Sequence, residues 1–349
     1  MPSTQEFRRR IKSVNNTKQI TKAMEMIASI KMQKAVKTAA ATRAYTQNAW
    51  NILQKLSNKI LSNDHPLITP RTADKTAVIL VTSDRGLCGS YNSEVIKRLT
   101  AFLNEPSIGN GNDASIVKSQ AVTAENRKPK TETGIVTDKR GSNIDVISIG
   151  KIGARAIHRY KNANLAAEFT GFEDKIDFET IVPVSKLTID EYLAGNYDRV
   201  VIIYSHFVSS LKQIPVVKQL LPIIEEHIDH PELWEGSSAT PASTSVIPAQ
   251  AGILDPRVKP EDDNQDYRFE PDPDKLFDGV LKQILRAQIY GAVLEANASE
   301  HSARMVAMKS ATDNAGELID ELQLLYNSIR QSNITREIAE ISGAAEAMK

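Results

Sequence analysis

Of 349 residues only Cys88 is a cysteine, so neither an internal disulfide nor a cysteine metal cluster can form. Aromatic residues make up 5%, few for an all-β fold. There is no run of ~18 apolar residues of the kind a membrane-spanning helix needs. The opening segment MPSTQEFRRRIKSVNN lacks the apolar core of a signal peptide. Together these predict a cytoplasmic chain. Recognisable chemistry is also missing. The histidines (His65, His158, His206, His227, His230 and His301) show no H-x-x-x-H or H-E-x-x-H spacing, and no G-x-S-x-G elbow occurs. His227 and His230 lie beside acidic residues and read as a solvated helix end.

Two further absences are structural. No proline or glycine lies between Pro2 and Pro66, and no proline follows Pro273. The first stretch is rich in Ala, Lys, Gln, Met and Arg, all good helix formers. A helix over most of it would be on the order of 80 Å long, too long for a small domain to cover. At the other end, EPDPDKLFDGVL supplies a start signal, with Asp272 as N-cap and Pro273 at the first helical position. Met308, Ala315, Leu322 and Ile329 recur every seven residues; Ala311, Leu318 and Leu325 do the same, three later. That spacing predicts an a/d seam. In the first helix Ile20, Met24 and Ile27 step by four and three, as do Ala49, Leu53, Leu56 and Ile60, with interruptions at Lys18, Lys31 and Lys34. Two long helices with one apolar stripe each predict an antiparallel coiled coil standing on whatever the middle of the chain forms.

The middle reads as a Rossmann-like α/β domain with a mostly parallel sheet. TAVILVT (76–82) and RVVIIYSHF (199–207) are continuous apolar runs, as in strands buried on both faces; DVISIG (145–150) is a shorter candidate. PVVKQLLP (215–222) and YRFEPD (267–272) add edge strands, and 93–103, 153–161 and 184–195 read as helices. The stretches 105–143 and 237–264 carry few large apolar residues and read as mobile insertions. VIPAQAGILDPRVKPEDD, inside the second, resembles the peptide that mobile repeat elements leave in bacterial genes. The expected division is 1–65, 66–272 and 273–349.

VTSDRGLCGSYN (81–92), between a strand and a helix, has the layout of a phosphate-binding loop. A P-loop needs G-x-x-x-x-G-K-[ST] and a dinucleotide fingerprint G-x-G-x-x-G. Gly86 and Gly89 are only three apart, with no lysine after them and no third glycine. They are expected to provide tight backbone geometry, and Cys88 to be a small buried thiol. No cofactor or metal site is expected. The net charge of zero conceals a basic first segment: residues 1–60 carry twelve Lys/Arg and two Asp/Glu. A coiled-coil adaptor or a nucleic-acid binder with an α/β body is therefore an alternative, although no aromatic platform or binding fold accompanies the basic residues.

IKSVNNTKQITKAMEMIASIKMQKA (11–35), VTSDRGLCGSYN (81–92), the EPDP element and ASEHSARMVAMKSATDNAGELIDELQLLYNSIRQSNITREIAEISGAA (298–345) together resemble the gamma subunit of F-type ATP synthase. The resemblance covers both terminal helices and is weak over 105–143 and 237–264. It implies a non-catalytic rotor shaft that couples rotation of the membrane c ring to conformational change at catalytic sites on beta subunits, and so regulates ATPase activity and proton flow. The implied partners are the alpha and beta subunits, the epsilon subunit and the c ring, at the cytoplasmic face of a bacterial inner membrane. The matching motifs imply that Met24 and Arg304 meet a beta lever loop. Arg330 and Gln331, with Thr335 and Glu337 nearby, would meet the catch loops of the ring.

Overall fold

The computed structural model describes residues 4–57, 65–69, 71, 75–104, 144–160, 162–172, 176–223 and 273–348. The proposed insertions, the strand at 267–272, Asp272, His227 and His230 lie outside the described residues. Element order is α1 (Thr4–Ser57), β1 (Thr76–Val81), α2 (Tyr91–Asn104), β2 (Ile144–Ile149), α3 (Lys151–Ile157), β3 (Ala163–Phe169), α4 (Phe178–Leu193), β4 (Arg199–Phe207), β5 (Gln213–Leu221) and α5 (Pro273–Ala347). No helix among the described residues is long and apolar enough to cross a membrane.

The strands form one sheet in the order β3-β2-β1-β4-β5. The first four are parallel, and β5 returns antiparallel along β4, pairing Ser205 with Pro215 and Phe207 with Gln213. Pro215 is tolerated because β5 is an edge strand. β1 and β4 are apolar over most of their length because both faces are covered. On one face Val78, Leu80, Val146, Val201 and Ile203 pack with Val95 and Leu99 of α2 and Ile157 of α3. On the other, Ile79, Ile147, Val200 and Ile202 pack with Ile181 and Val184 of α4 and with Leu281, Ile284, Leu285 and Ile289 of α5.

Two elements differ from the sequence reading. β3, ANLAAEF, was not expected; it is rich in residues that favour helices and survives as an edge strand paired with β2. Helix α4 begins at Phe178, ahead of Pro183, rather than after it. Pro183, the sixth residue, lacks the N–H for an intrahelical hydrogen bond, and the residues ahead of it hold the helix in place with anchors: Ile181 is buried and the Phe178 ring stacks edge-on against Tyr290 at 5.5 Å.

The first half of α5 crosses the sheet, and α1 lies along α5. Four contacts index the helix pair: Gln283 Nε2 donates to Tyr45 Oη (3.3 Å), Thr312 Oγ1 to Thr21 Oγ1 (2.8 Å), Lys18 lies over Gly316, and Arg8 Nε donates to Tyr326 Oη (2.8 Å). As the α5 number rises, the α1 number falls.

The phase of the seam corrects the sequence reading. Met308, Ala315 and Leu322 are buried and Ile329 half-buried, but the second row is not Ala311, Leu318 and Leu325. Leu318 and Leu325 are 44% and 52% exposed. The row that faces α1 is Thr312, Ile319 and Tyr326, four residues after the first. On α1, Ile20 and Ile27 are 61% and 54% exposed, while Phe7, Ala28, Ala35 and Ala39 are buried and Val14, Thr21 and Met24 half-buried. Around Thr21–Thr312 and Lys18–Gly316 small residues of one helix meet the other, and Ile20, Ile27, Leu318 and Leu325 are left outside. Lys18, read as a break, sits at a seam position because Gly316 opposite has no side chain. The side chains of Leu53 and Leu56, and all of Ile60, lie outside the described residues.

Candidate functional site

In an open α/β sheet the usual ligand crevice lies at the carboxyl ends of the strands where strand order reverses. Here that point is between β1 and β4, and the loop 82–92 leaves from it. Its polar groups are turned inward. Thr82 Oγ1 accepts the Gly153 N–H (2.9 Å) and donates to the Ile149 carbonyl (3.2 Å). The Ser83 N–H donates to Asn92 Oδ1 (3.1 Å), and Asn92 Nδ2 donates to Ser83 Oγ (2.7 Å) and Cys88 Sγ (3.0 Å). Asp84 Oδ1 accepts the Lys151 N–H (3.1 Å) and Oδ2 the Gly171 N–H (2.8 Å). The amides that converge beyond β2 and β3 are thus satisfied by the chain's own carboxylate, in the manner of a bound anion.

α5 lies across these strand ends: Ser299 Oγ donates to the Ser205 carbonyl of β4 (3.0 Å), and on the β2 side of β1 Val293, Ala296, Asn297 and Glu300 face Thr82, Asp84, Tyr91 and Gly150 across a cavity of about 20 Å³, enough for roughly one water. Burial pushes the Tyr91 phenol well above its usual pKa, with Glu300 adding to the shift. Burial also raises the Cys88 thiol, partly offset by its hydrogen bond with Ser83. Cys88 is therefore a buried neutral thiol. No cluster of metal-ligating side chains occurs among the described residues.

The glycines divide the backbone work differently from expectation. Gly89 has φ +57° and lies against Ala307 of α5, but Gly86 has an ordinary φ and open space around it; Leu87 takes the left-handed conformation instead, at φ 66°, with its side chain exposed. The glycine that sequence reasoning missed is Gly150 at the β2–α3 turn. It has φ +101°, and a Cβ there would sit 2.2 Å from the Thr82 carbonyl oxygen.

The residues with an expected partner role are spread along the helix pair. Met24 is half-buried against α5. Arg304 is engaged inside the molecule: it pairs with Glu300 at 2.7 Å, meets His301 Nδ1 at 3.2 Å and donates to the Gly86 carbonyl at 3.4 Å. It therefore ties loop 82–92 to α5. Arg330, Gln331, Thr335 and Glu337 are exposed, with the Thr335 hydroxyl donating back to the Gln331 carbonyl (2.9 Å). They lie where α5 runs on past the first residues of α1. Every residue from 334 to 344 is exposed, including Ile334, Ile338 and Ile341 on one line of the helix.

A second polar cluster, not foreseen from the sequence, joins α5 to the end of β4. Glu295, Ser299 and Ser302 fall four and three apart on one face of α5. Glu295 Oε2 lies 2.7 Å from His206 Nδ1, Ser299 Oγ donates to the Ser205 carbonyl (3.0 Å), and Ser302 Oγ donates to the Ser210 carbonyl (2.6 Å). The signal in the sequence was three polar residues at helical spacing next to an apolar helix face.

The family model described as ATP synthase matches residues 3–123 and 115–348. A relative from Nitrosomonas europaea named ATP synthase gamma chain is 36% identical over 349 residues, covering all of both chains. Its namesake from Nitrosomonas eutropha is 35% identical with the same coverage. Among solved structures, a chain of the Euglena gracilis mitochondrial ATP synthase (OSCP/F1/c-ring) superposes with a TM-score of 0.56 at 16% identity, covering 99% of this chain and 94% of that one. A chain of the same organism's ATP synthase rotor gives 0.53 at 17% identity, covering 95% and 98%. These two likenesses concern the fold, a parallel sheet carrying long terminal helices. With full-length relatives above 30% identity and a family model spanning almost the whole sequence, this chain belongs to the ATP synthase gamma chain family.

Proposed function

We propose that this chain is the central rotor shaft of a proton-translocating ATP synthase, with α1 and α5 as an antiparallel coiled coil. Residues 1–65 and 273–349 are the shaft, and 66–272 the body that rides on the c ring beside epsilon. Turning with the c ring, the asymmetric shaft drives the catalytic sites on the beta subunits through their conformations in turn. The complex places the chain peripherally at the cytoplasmic face of a bacterial inner membrane.

The observation that carries this reading is the free end of α5. From Arg330 to Ala347 the helix continues for roughly 25 Å at 1.5 Å per residue, beyond the Arg8–Tyr326 contact near the start of α1. A lone helix of this length is marginal in water unless something covers it. Its line of Ile334, Ile338 and Ile341 suits a bearing in which an apolar sleeve surrounds the tip without gripping it at one angle. Arg330, Gln331, Thr335 and Glu337 at the base of this tip are the residues we assign to the ring's catch loops. Met24 and Arg304 are assigned to the lever loop, Arg304 by holding loop 82–92 with its exposed Leu87. The covered strand ends support a chain that performs no bond chemistry of its own.

Affinity purification of the tagged chain from membranes tests this. Alpha, beta, epsilon and c subunits are expected to co-purify in defined ratio. Recovery of the chain with nucleic acid, or alone, would contradict it.

A further inference from the structure

Over most of its contact with the sheet, α5 presents apolar residues, Leu281, Ile284, Leu285, Ile289 and Val293 among them. At the end of that contact the chemistry changes to Glu295, Ser299 and Ser302, all buried. Each is fastened to the end of β4 or the turn after it: Glu295 to His206 (2.7 Å), Ser299 to the Ser205 carbonyl (3.0 Å) and Ser302 to the Ser210 carbonyl (2.6 Å). Gln213 Nε2 donates to Ser302 Oγ from the far side of the turn (3.2 Å). Lys218 on β5 adds a cation near the pair. Burial lowers its pKa and the Glu295 charge partly restores it.

A buried carboxylate–imidazole pair is a poor device for stability, because desolvation consumes the attraction and an apolar pair of the same volume does as well. What it supplies is direction. Apolar packing is non-directional and yields to sliding, whereas a charge-assisted hydrogen bond has a narrow range of length and angle. The row sits at the end of the contact between α5 and the sheet, beyond which α5 and α1 continue together, so torque passing from the sheet to that far part of the helix pair crosses this level.

We propose that the row Glu295–Ser299–Ser302, keyed by His206, is the joint that stops α5 turning about its own axis against the sheet. Glu295 and His206 are positioning residues for energy coupling. The proposal rests on the rotor reading above, and adds where the twist is held.

The test uses the intact complex in membrane vesicles with Glu295→Leu/His206→Leu, which removes both partners so that neither is left buried and unpaired. Glu295→Gln, which keeps a hydrogen bond to His206, and Ser302→Ala, which cuts a single contact of the row, accompany it. Subunit content, ATP hydrolysis and ATP-driven proton pumping are measured on the same vesicles. The angular fluctuation of a rod fixed to the body, with the catalytic ring held still, is measured on detergent-solubilised complexes. The double variant is expected to assemble, to hydrolyse ATP within about twofold of the parent, to pump about half as many protons per ATP or fewer, and to show about twice the angular variance, since the bond it removes has a carboxylate acceptor and is the strongest of the row. Glu295→Gln should recover most of the pumping, and Ser302→Ala should raise the variance less. Unchanged variance and unchanged pumping per ATP in the double variant would overturn the proposal. If the double variant does not assemble, Ser302→Ala decides: parent-like variance overturns the proposal and increased variance supports it. Failure of the rotor reading would show separately, as a parent complex whose rod does not turn during hydrolysis.

Discussion

Leu322 and Leu325 are the same residue three positions apart on α5, 8% and 52% exposed. A seam whose second row falls three residues after the first makes both of them core. A second row four residues after the first, as in Thr312, Ile319 and Tyr326, leaves Leu325 half in water. Aspartate at the two positions separates these geometries. At 322 the change removes nearly all of a leucine's burial, about 1.5–3 kcal/mol, and leaves a carboxylate without a partner between the helices, about 1–3 kcal/mol more. The expected loss is about 3–5 kcal/mol, a large part of a typical net stability of about 5–15 kcal/mol. At 325 only half the apolar area is at stake, about 1 kcal/mol, and the charge remains solvated. Urea unfolding of the purified full-length chains, followed by far-ultraviolet circular dichroism, measures the difference. The isolated chain is the right sample, because a partner covering Leu325 would add its own term. Equal destabilisation by Leu322→Asp and Leu325→Asp would refute the four-residue phase, and with it the account of why bulky aliphatics face outward.

Gly150→Ala should be among the most damaging small substitutions in the body. A residue forced to φ +101° with Cβ 2.2 Å from the Thr82 oxygen carries about 1–3 kcal/mol of backbone strain before any clash is relieved. The thermal midpoint should fall by about 10 °C, at about 2–4 °C per kcal/mol, and a fall of a degree or less would show that the turn relaxes freely. Met24→Lys places an ammonium at a half-buried position on the shaft. One added charge-assisted contact with an acidic loop, roughly 1.5–3 kcal/mol, would favour one angle over the others, so proton pumping should fall further than ATP hydrolysis on the same membranes; equal losses would remove Met24 from the coupling surface.

The sequence made the rod legible because helices are limited by breakers, and breakers are easy to see. Pro66 lies beyond the end of α1 and Pro273 opens α5. The strands buried on both faces were legible for a similar reason, as unbroken apolar runs. What was not legible depended on distance between elements. The seam phase was misjudged because Leu318, Leu325, Ile20 and Ile27 are better hydrophobes than Thr312, Thr21 and Ala28. Which residues face inward depends on the partner residue opposite, and only the pairing of Thr21 with Thr312 and of Lys18 with Gly316 reveals it. β3 was missed because alanines stand on both of its faces, Ala163 and Ala167 inward and Ala166 outward, and blur its alternation. In the loop after β1, the absence of a lysine and a third glycine argued against phosphate binding, but not how the space is used. Asp84 takes the converging amides and α5 lies across the strand ends, both through contacts more than sixty residues away in sequence. His206 was weighed for metal spacing along the chain, while its partner Glu295 lies 89 residues further on.

The central claim is mechanical, and rotation tests it most directly. With the catalytic ring of the purified complex fixed to a surface, a visible rod is attached to a cysteine introduced at Lys212, in the exposed turn between β4 and β5, and ATP is supplied. The account predicts continuous rotation in one direction that stops when ATP is withdrawn. Sustained ATP hydrolysis by complexes that contain the chain, with rods that only fluctuate about a fixed angle, would contradict it.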